Sequence, residues 1–212
     1  MSGTLPWYVA RASGLVAWSL LAASVIWGLL MTSQAVRRIA RTSWLLDLHR
    51  WLGGLALVFT GVHVAAIMSD SYVHFGLASV LVPLATHWHP VMIAYGIASL
   101  YLLVAIELTS LLRRRINRRL WRAVHFLSFP LFVASTLHGV TAGTDSGAPM
   151  LVITVVLAGA AVTGLAIARV AKATSAEGAP PRLRHPRPPL YPPSQAWSRQ
   201  HAVTDRAYRQ GR

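Results

Sequence analysis

The sequence predicts an all-α, polytopic membrane helical bundle of five transmembrane helices, with the N-terminus outside and the C-terminus in the cytoplasm. Three observations predict it. The chain of 212 residues is 54% hydrophobic and only 12% charged, with a mean hydropathy of +0.48, a composition far from that of soluble domains. Five apolar runs are each long enough to cross a bilayer, which takes about 17–25 residues. The loops between them alternate between basic and non-basic.

The spans are read at 7–31, 44–68, 89–112, 120–142 and 149–170. Between the first and second, "AVRRIARTS" carries Arg37, Arg38 and Arg41; between the third and fourth, "RRRINRR" carries Arg113, Arg114, Arg115, Arg118 and Arg119. The positive-inside rule puts both loops in the cytoplasm. The loop from residue 69, "SDSYVHFGLASVLVPLATHW", and "AGTDSGAP" from 142 hold no Lys or Arg, only Asp70 and Asp145, and belong outside. The formal charge of +14 is thus a feature of cytoplasmic loops and tail, and no nucleic-acid partner is expected. With no cysteine, disulfides and thiolate metal sites are excluded, which leaves histidine, carboxylate or backbone oxygen for any metal.

The first span lacks the basic flank and small-residue cleavage site of a removable signal peptide, so it is expected to be retained. The domain reading is a membrane domain over 1–170 and a disordered, basic, proline-rich cytoplasmic tail over 171–212. That tail holds seven of the twelve prolines and eight of the twenty basic residues, in runs such as "GAPPRLRHPRPPLYPPS". Such a composition builds no core and favours polyproline conformations and contact with anionic lipid headgroups.

Four histidines carry the functional argument. The second span holds His49 and His63, and the fourth holds His125 and His138. Ionisable residues inside spans are rare and usually functional, although a lone one often just bridges two helices. His49 and His125 lie one to two turns inside the cytoplasmic surface. At 1.5 Å per residue, His63 and His138 lie about 20 Å further out. Two facing pairs at two depths are a natural arrangement for axial ligation of haem iron. Fourteen residues leave His63 about 40° from His49 around the helix, but thirteen leave His138 about 140° from His125. Pro130 lies between the latter two and clashes with the carbonyl of Phe126, so a kink or π-like turn is expected to return His138 to the common face.

The spacings "HRWLGGLALVFTGVH" and "HFLSFPLFVASTLH", on two helices separated by one span and a basic loop, resemble the ferric reductase-like transmembrane domain. That family includes NADPH oxidases, iron reductases and the bacterial haem subunit serving methionine sulfoxide reductase. The resemblance covers about residues 5–170. It implies two haems b, the inner one ligated by His49 and His125 and the outer one by His63 and His138, with electrons moving outward. It also places Arg11, in "ARASG", near the outer haem, where a propionate would meet its charge; snorkelling to the outer interface is the other reading of Arg11. Arg50 and Arg122 flank the inner ligands and are candidates for inner propionates, or ordinary positive-inside residues.

The oxidases and eukaryotic reductases typically carry an additional N-terminal span and a flavin and nicotinamide domain, and neither is expected here: no "GxGxxG" follows a strand-like segment, and the 42-residue tail is too short and too proline-rich for a nucleotide-binding fold. The expected donor is therefore a separate flavoprotein, a quinol or a flavin at the membrane face, with an acceptor at the outer face. Weaker candidates are His74, His87 and His89, where "HWHP" suggests a metal but solvated histidines are the simpler reading. Glu107 serves a proton path or, more simply, pairs with a loop residue such as Arg113.

The reading is a di-haem b cytochrome of the bacterial plasma membrane, an electron-transfer subunit of an oxidoreductase in contact with membrane lipid. Two alternatives stand beside it. One is a quinol-linked cytochrome b subunit of a dehydrogenase or hydrogenase. The other is a haem-free transporter or assembly factor whose histidines bridge helices.

Overall fold

In lipid every backbone polar group must be satisfied within its own segment, so apolar runs of this length become helices. The computed structural model describes residues 4–31, 42–70, 75–143 and 147–177, and among these no strand occurs. The helices are α1 (Leu5–Met31), α2 (Thr42–Met68), α3 (Leu77–Leu81), α4 (Pro90–Leu111), α5 (Arg118–Phe126), α6 (Ser128–Ala142) and α7 (Pro149–Glu177). Five stretches are long and apolar enough to span a membrane: α1, α2, α4, α5 with α6, and α7. The protein is multi-pass, as its composition predicts.

Two hairpins make the bundle. α1 packs along α2, α4 packs along α6, and contacts of α1 with α6 and of α2 with α4 join the two. Between them lies a core of Leu21, Val25, Ala56, Leu103, Leu131 and Phe132, with Leu131 1% exposed and Ala56 fully buried. Trp18 fastens the hairpins together, its indole N–H donating to Thr136 Oγ1 at 2.9 Å while its ring stacks on Phe132. Trp27 donates to the Leu45 carbonyl at 3.0 Å and closes the opposite end of the α1–α2 hairpin. α7 inserts Val162 into the core and leaves Ile153, Val156, Leu157, Ile167 and Val170 on the lipid side.

The fourth span is broken, and the break has a local cause. Pro130 has no N–H to offer the Phe126 carbonyl, so the i→i−4 ladder fails there. Of the kink or π-like turn expected from sequence, the chain takes a break that tightens: Leu127 N–H donates to Val124 O at 3.0 Å, an i→i−3 bond of 3₁₀ type. α5 starts at an Asn117 cap, whose side chain accepts from Arg119 N–H at 2.8 Å.

Two further features depart from the sequence reading. The short helix α3 lies in the loop between α2 and α4, where the Tyr101 hydroxyl donates to the Leu81 carbonyl. The last helix runs past 170 to Glu177, because "AKATSAE" contains good helix formers and the first proline comes at Pro180. The basic, proline-rich remainder, like Arg37, Arg38, Arg41, His74 and Asp145, lies outside the described residues.

Candidate functional site

Each hairpin offers its histidines a matched surface. On α2, His49, Ala56 and His63 recur every seven residues, which keeps them on one face. α1 answers with two heptad rows, Ala10, Ala17 and Ser24 in one, and Gly14, Leu21 and Gly28 in the other. His63 donates from Nδ1 to the Ala10 carbonyl at 2.7 Å, and a Cβ on Gly14 would come within 2.9 Å of that nitrogen. Fourteen residues away the unit repeats: His49 Nδ1 meets the Ser24 hydroxyl at 3.2 Å, and a Cβ on Gly28 would come within 3.2 Å of its ring.

The second hairpin carries the same unit at one end. His138 on α6 donates from Nδ1 to the Met92 carbonyl of α4 at 2.9 Å, and a Cβ on Gly96 would come within 2.8 Å of its ring. In all three cases the hydrogen-bond partner stands four residues before the glycine. Two heptads on from Met92 and Gly96, α4 has Ile106 and Ser110. His125 does not use them. Its Nδ1 is buried without a hydrogen-bond partner among the described residues, the Ile106 carbonyl accepts from Thr109 Oγ1 at 3.1 Å, and the imidazole stacks on Trp121 with centroids 5.1 Å apart.

These placements bring the four histidines together as two pairs. His49 and His125 have ring centroids 6.0 Å apart and planes at 77°; His63 and His138 are 6.3 Å apart with planes at 80°. The break at Leu127 makes α5 and α6 separate helices, so the 140° offset of an unbroken helix does not apply.

The residues fit a haem iron on four counts. The ring centres of each pair, 6.0 and 6.3 Å apart, are close enough for both imidazoles to reach one metal with bonds of about 2.0–2.1 Å. A carbonyl accepts only, so Nδ1 of His63 and of His138 carries the proton and Nε2 keeps the lone pair, the second-shell pattern of metal-ligating histidines. Glycine stands where any side chain would push the imidazole aside. Among the described residues no three or more of His, Cys, Asp and Glu gather to hold a metal; a pair of facing imidazoles would suit a metal whose remaining positions a macrocycle fills.

The predicted cationic partners are placed less uniformly. Arg11 is exposed on α1, its guanidinium 5.2 Å from the Trp7 ring centre, at the edge of a cavity of about 320 Å³ that Trp18, Leu151 and Thr154 help to line. Arg50 is exposed and pairs with Asp47 at 3.2 Å. Arg122 is exposed on α5, one turn from His125. The expected Glu107–Arg113 pair is not formed: the carboxylate of half-buried Glu107 lies against Gly53 of α2, which has no side chain to oppose it. His87 and His89 are exposed, with His89 at a φ of 43° just before Pro90.

Sequence reasoning missed Ser24, Trp121 and the three glycines. A signal for two of them was present, since Gly14 and Gly28 repeat the fourteen-residue spacing of His49 and His63 one helix earlier. The family model described as "Ferric reductase like transmembrane component" matches residues 13–136. No curated protein and no solved structure was found to match the chain.

Proposed function

Because the chain belongs to the ferric reductase-like transmembrane family, we propose that it is the electron-transfer subunit of a membrane oxidoreductase and holds two haems b. The observation that carries this reading is the pair of facing imidazole couples, each at the separation of two ligands on one metal. A bound haem b supplies a one-electron ferric/ferrous couple whose potential the protein tunes.

His49 and His125 hold the inner site and His63 and His138 the outer one, on the orientation that places the arginine-rich loops in the cytoplasm. The Ala10 and Met92 carbonyls fix ring orientation and tautomer at the outer site. Between the two levels, Leu21, Ala56, Leu103 and Leu131 close the bundle to water and lower the local dielectric. Arg11 serves a carboxylate of the outer cofactor, and Arg50 and Arg122 those of the inner one. Electrons enter from a flavoprotein, a quinol or a flavin at the cytoplasmic face and leave to an acceptor at the outer face of the bacterial plasma membrane.

The test is the reduced-minus-oxidised optical spectrum of the full chain in detergent, with haem counted per chain. Wild type is expected to carry about two low-spin b haems and His63→Ala about one. A wild type that takes up no haem when haem is supplied during expression overturns the reading and leaves the histidines as helix-packing residues.

A further inference from the structure

The four imidazoles are not held alike. At the outer level both Nδ1–H groups donate to main-chain carbonyls, Ala10 at 2.7 Å and Met92 at 2.9 Å. At the inner level, among the described residues, His49 Nδ1 meets the Ser24 hydroxyl at 3.2 Å, and the buried Nδ1 of His125 has no hydrogen-bond partner. A good N–H···O bond is about 2.9–3.0 Å, so the Ser24 contact is the weakest of the three.

This difference has an electronic consequence. An imidazole that donates its distal N–H to a carbonyl gains basicity at the nitrogen facing the metal. Stronger donation stabilises ferric over ferrous iron, and so lowers the reduction potential. Resting on the two-haem reading, we infer that the His63–His138 site is the lower-potential site of the two, with the Ala10 and Met92 carbonyls as its positioning groups and Ser24 as the weaker one of the inner site.

The arginines near the two sites are all exposed and pull in opposite directions, so the hydrogen bonds carry the difference. Arg118, Arg119 and Arg122 stand on α5 within two turns of His125, and positive charge favours the reduced form. At the other end Arg11 works in the opposite sense, and all four guanidiniums sit in high dielectric. Electrons entering from the cytoplasm thus meet the more oxidising couple first. The outer couple is the stronger reductant, so outward flow depends on a donor that keeps the inner site reduced and an acceptor that drains the outer one.

The experiment is a potentiometric titration of the full chain in detergent, followed optically and by the low-spin EPR signals, for wild type, Ser24→Ala and His63→Ala. Two resolved waves are expected. His63→Ala should keep only the higher one, and Ser24→Ala, which retains all four ligands, should move the higher one further up and leave the lower one in place. Survival of the lower wave in His63→Ala, a Ser24→Ala shift confined to the lower wave, or two haems with one common potential overturns the inference while sparing the two-haem reading. If His63→Ala does not accumulate, Ser24→Ala decides by which wave it moves, and no movement counts against the inference. A wild type without haem fails the two-haem reading itself.

Discussion

The α1–α2 hairpin seats both of its histidines against a hydrogen-bonding group four residues before a glycine, a carbonyl for His63 and a hydroxyl for His49, whereas the α4–α6 hairpin seats only His138 in that way. On α2 the spacing is two full heptads, and α1 repeats its partner and its glycine at the same interval, so both rings land on prepared positions. On the fourth span the spacing is thirteen, and Leu127 interrupts the helix. His125 still reaches His49, but it falls out of register with the α4 surface. It stacks on Trp121 in place of a hydrogen bond to α4. A break can restore the direction of a ligand without restoring the hydrogen bond behind it.

This comparison can be broken most severely at the glycines. Gly96→Ala and Gly14→Ala would place a methyl within 3 Å of an imidazole seated against backbone on its other side. Each should cost the outer haem, taking the haem count from about two to about one per chain. Unchanged stoichiometry in both would show that the rings are not seated there. Gly61→Ala, whose Cβ meets nothing within 4 Å, is the matched control two residues from His63 and should leave the count alone.

Pro130→Ala addresses the break itself. Restoring an N–H for the Phe126 carbonyl pulls α5 and α6 toward one continuous helix, on which His125 and His138 point about 140° apart. Inner-site haem should fall while outer-site haem persists, as read from the two EPR signals; full retention of both would mean that Pro130 does not set the break. Gly28→Ala is milder, because at 3.2 Å the His49 ring can yield by a few tenths of an ångström. A partial loss of inner-site haem, smaller than that of Pro130→Ala, is expected.

The smallest effect is expected at the joint between the hairpins. Trp18→Phe keeps the stack on Phe132 but deletes the hydrogen bond to Thr136. Interhelical bonds of this kind are worth about 0.6 kcal/mol in membrane bundles, which at this size lowers Tm by roughly 1–2 °C. Haem content should not change. A large loss of haem would place Trp18 in the site rather than beside it.

Five apolar spans and the pairing of His49 with His125 and of His63 with His138 were legible in the chain, because hydropathy and helical rise are local quantities. The all-α bundle and the family follow from the same residues. By contrast, nothing local marks Ser24 as the neighbour of His49, or Gly53 as the space for the Glu107 carboxylate, since each pairing joins residues on different helices. Sequence distance alone favours a direct Glu107–Arg113 pair, whereas the carboxylate lies against Gly53 on another helix.

By itself, then, the sequence determined which segments enter the membrane and how far apart the imidazoles stand along each helix, since both depend on composition and on a fixed rise per residue. Tertiary structure alone decided how the two hairpins meet and which imidazole nitrogens find a carbonyl. Those outcomes depend on the register between helices, and a shift of one residue turns a side chain by about 100°.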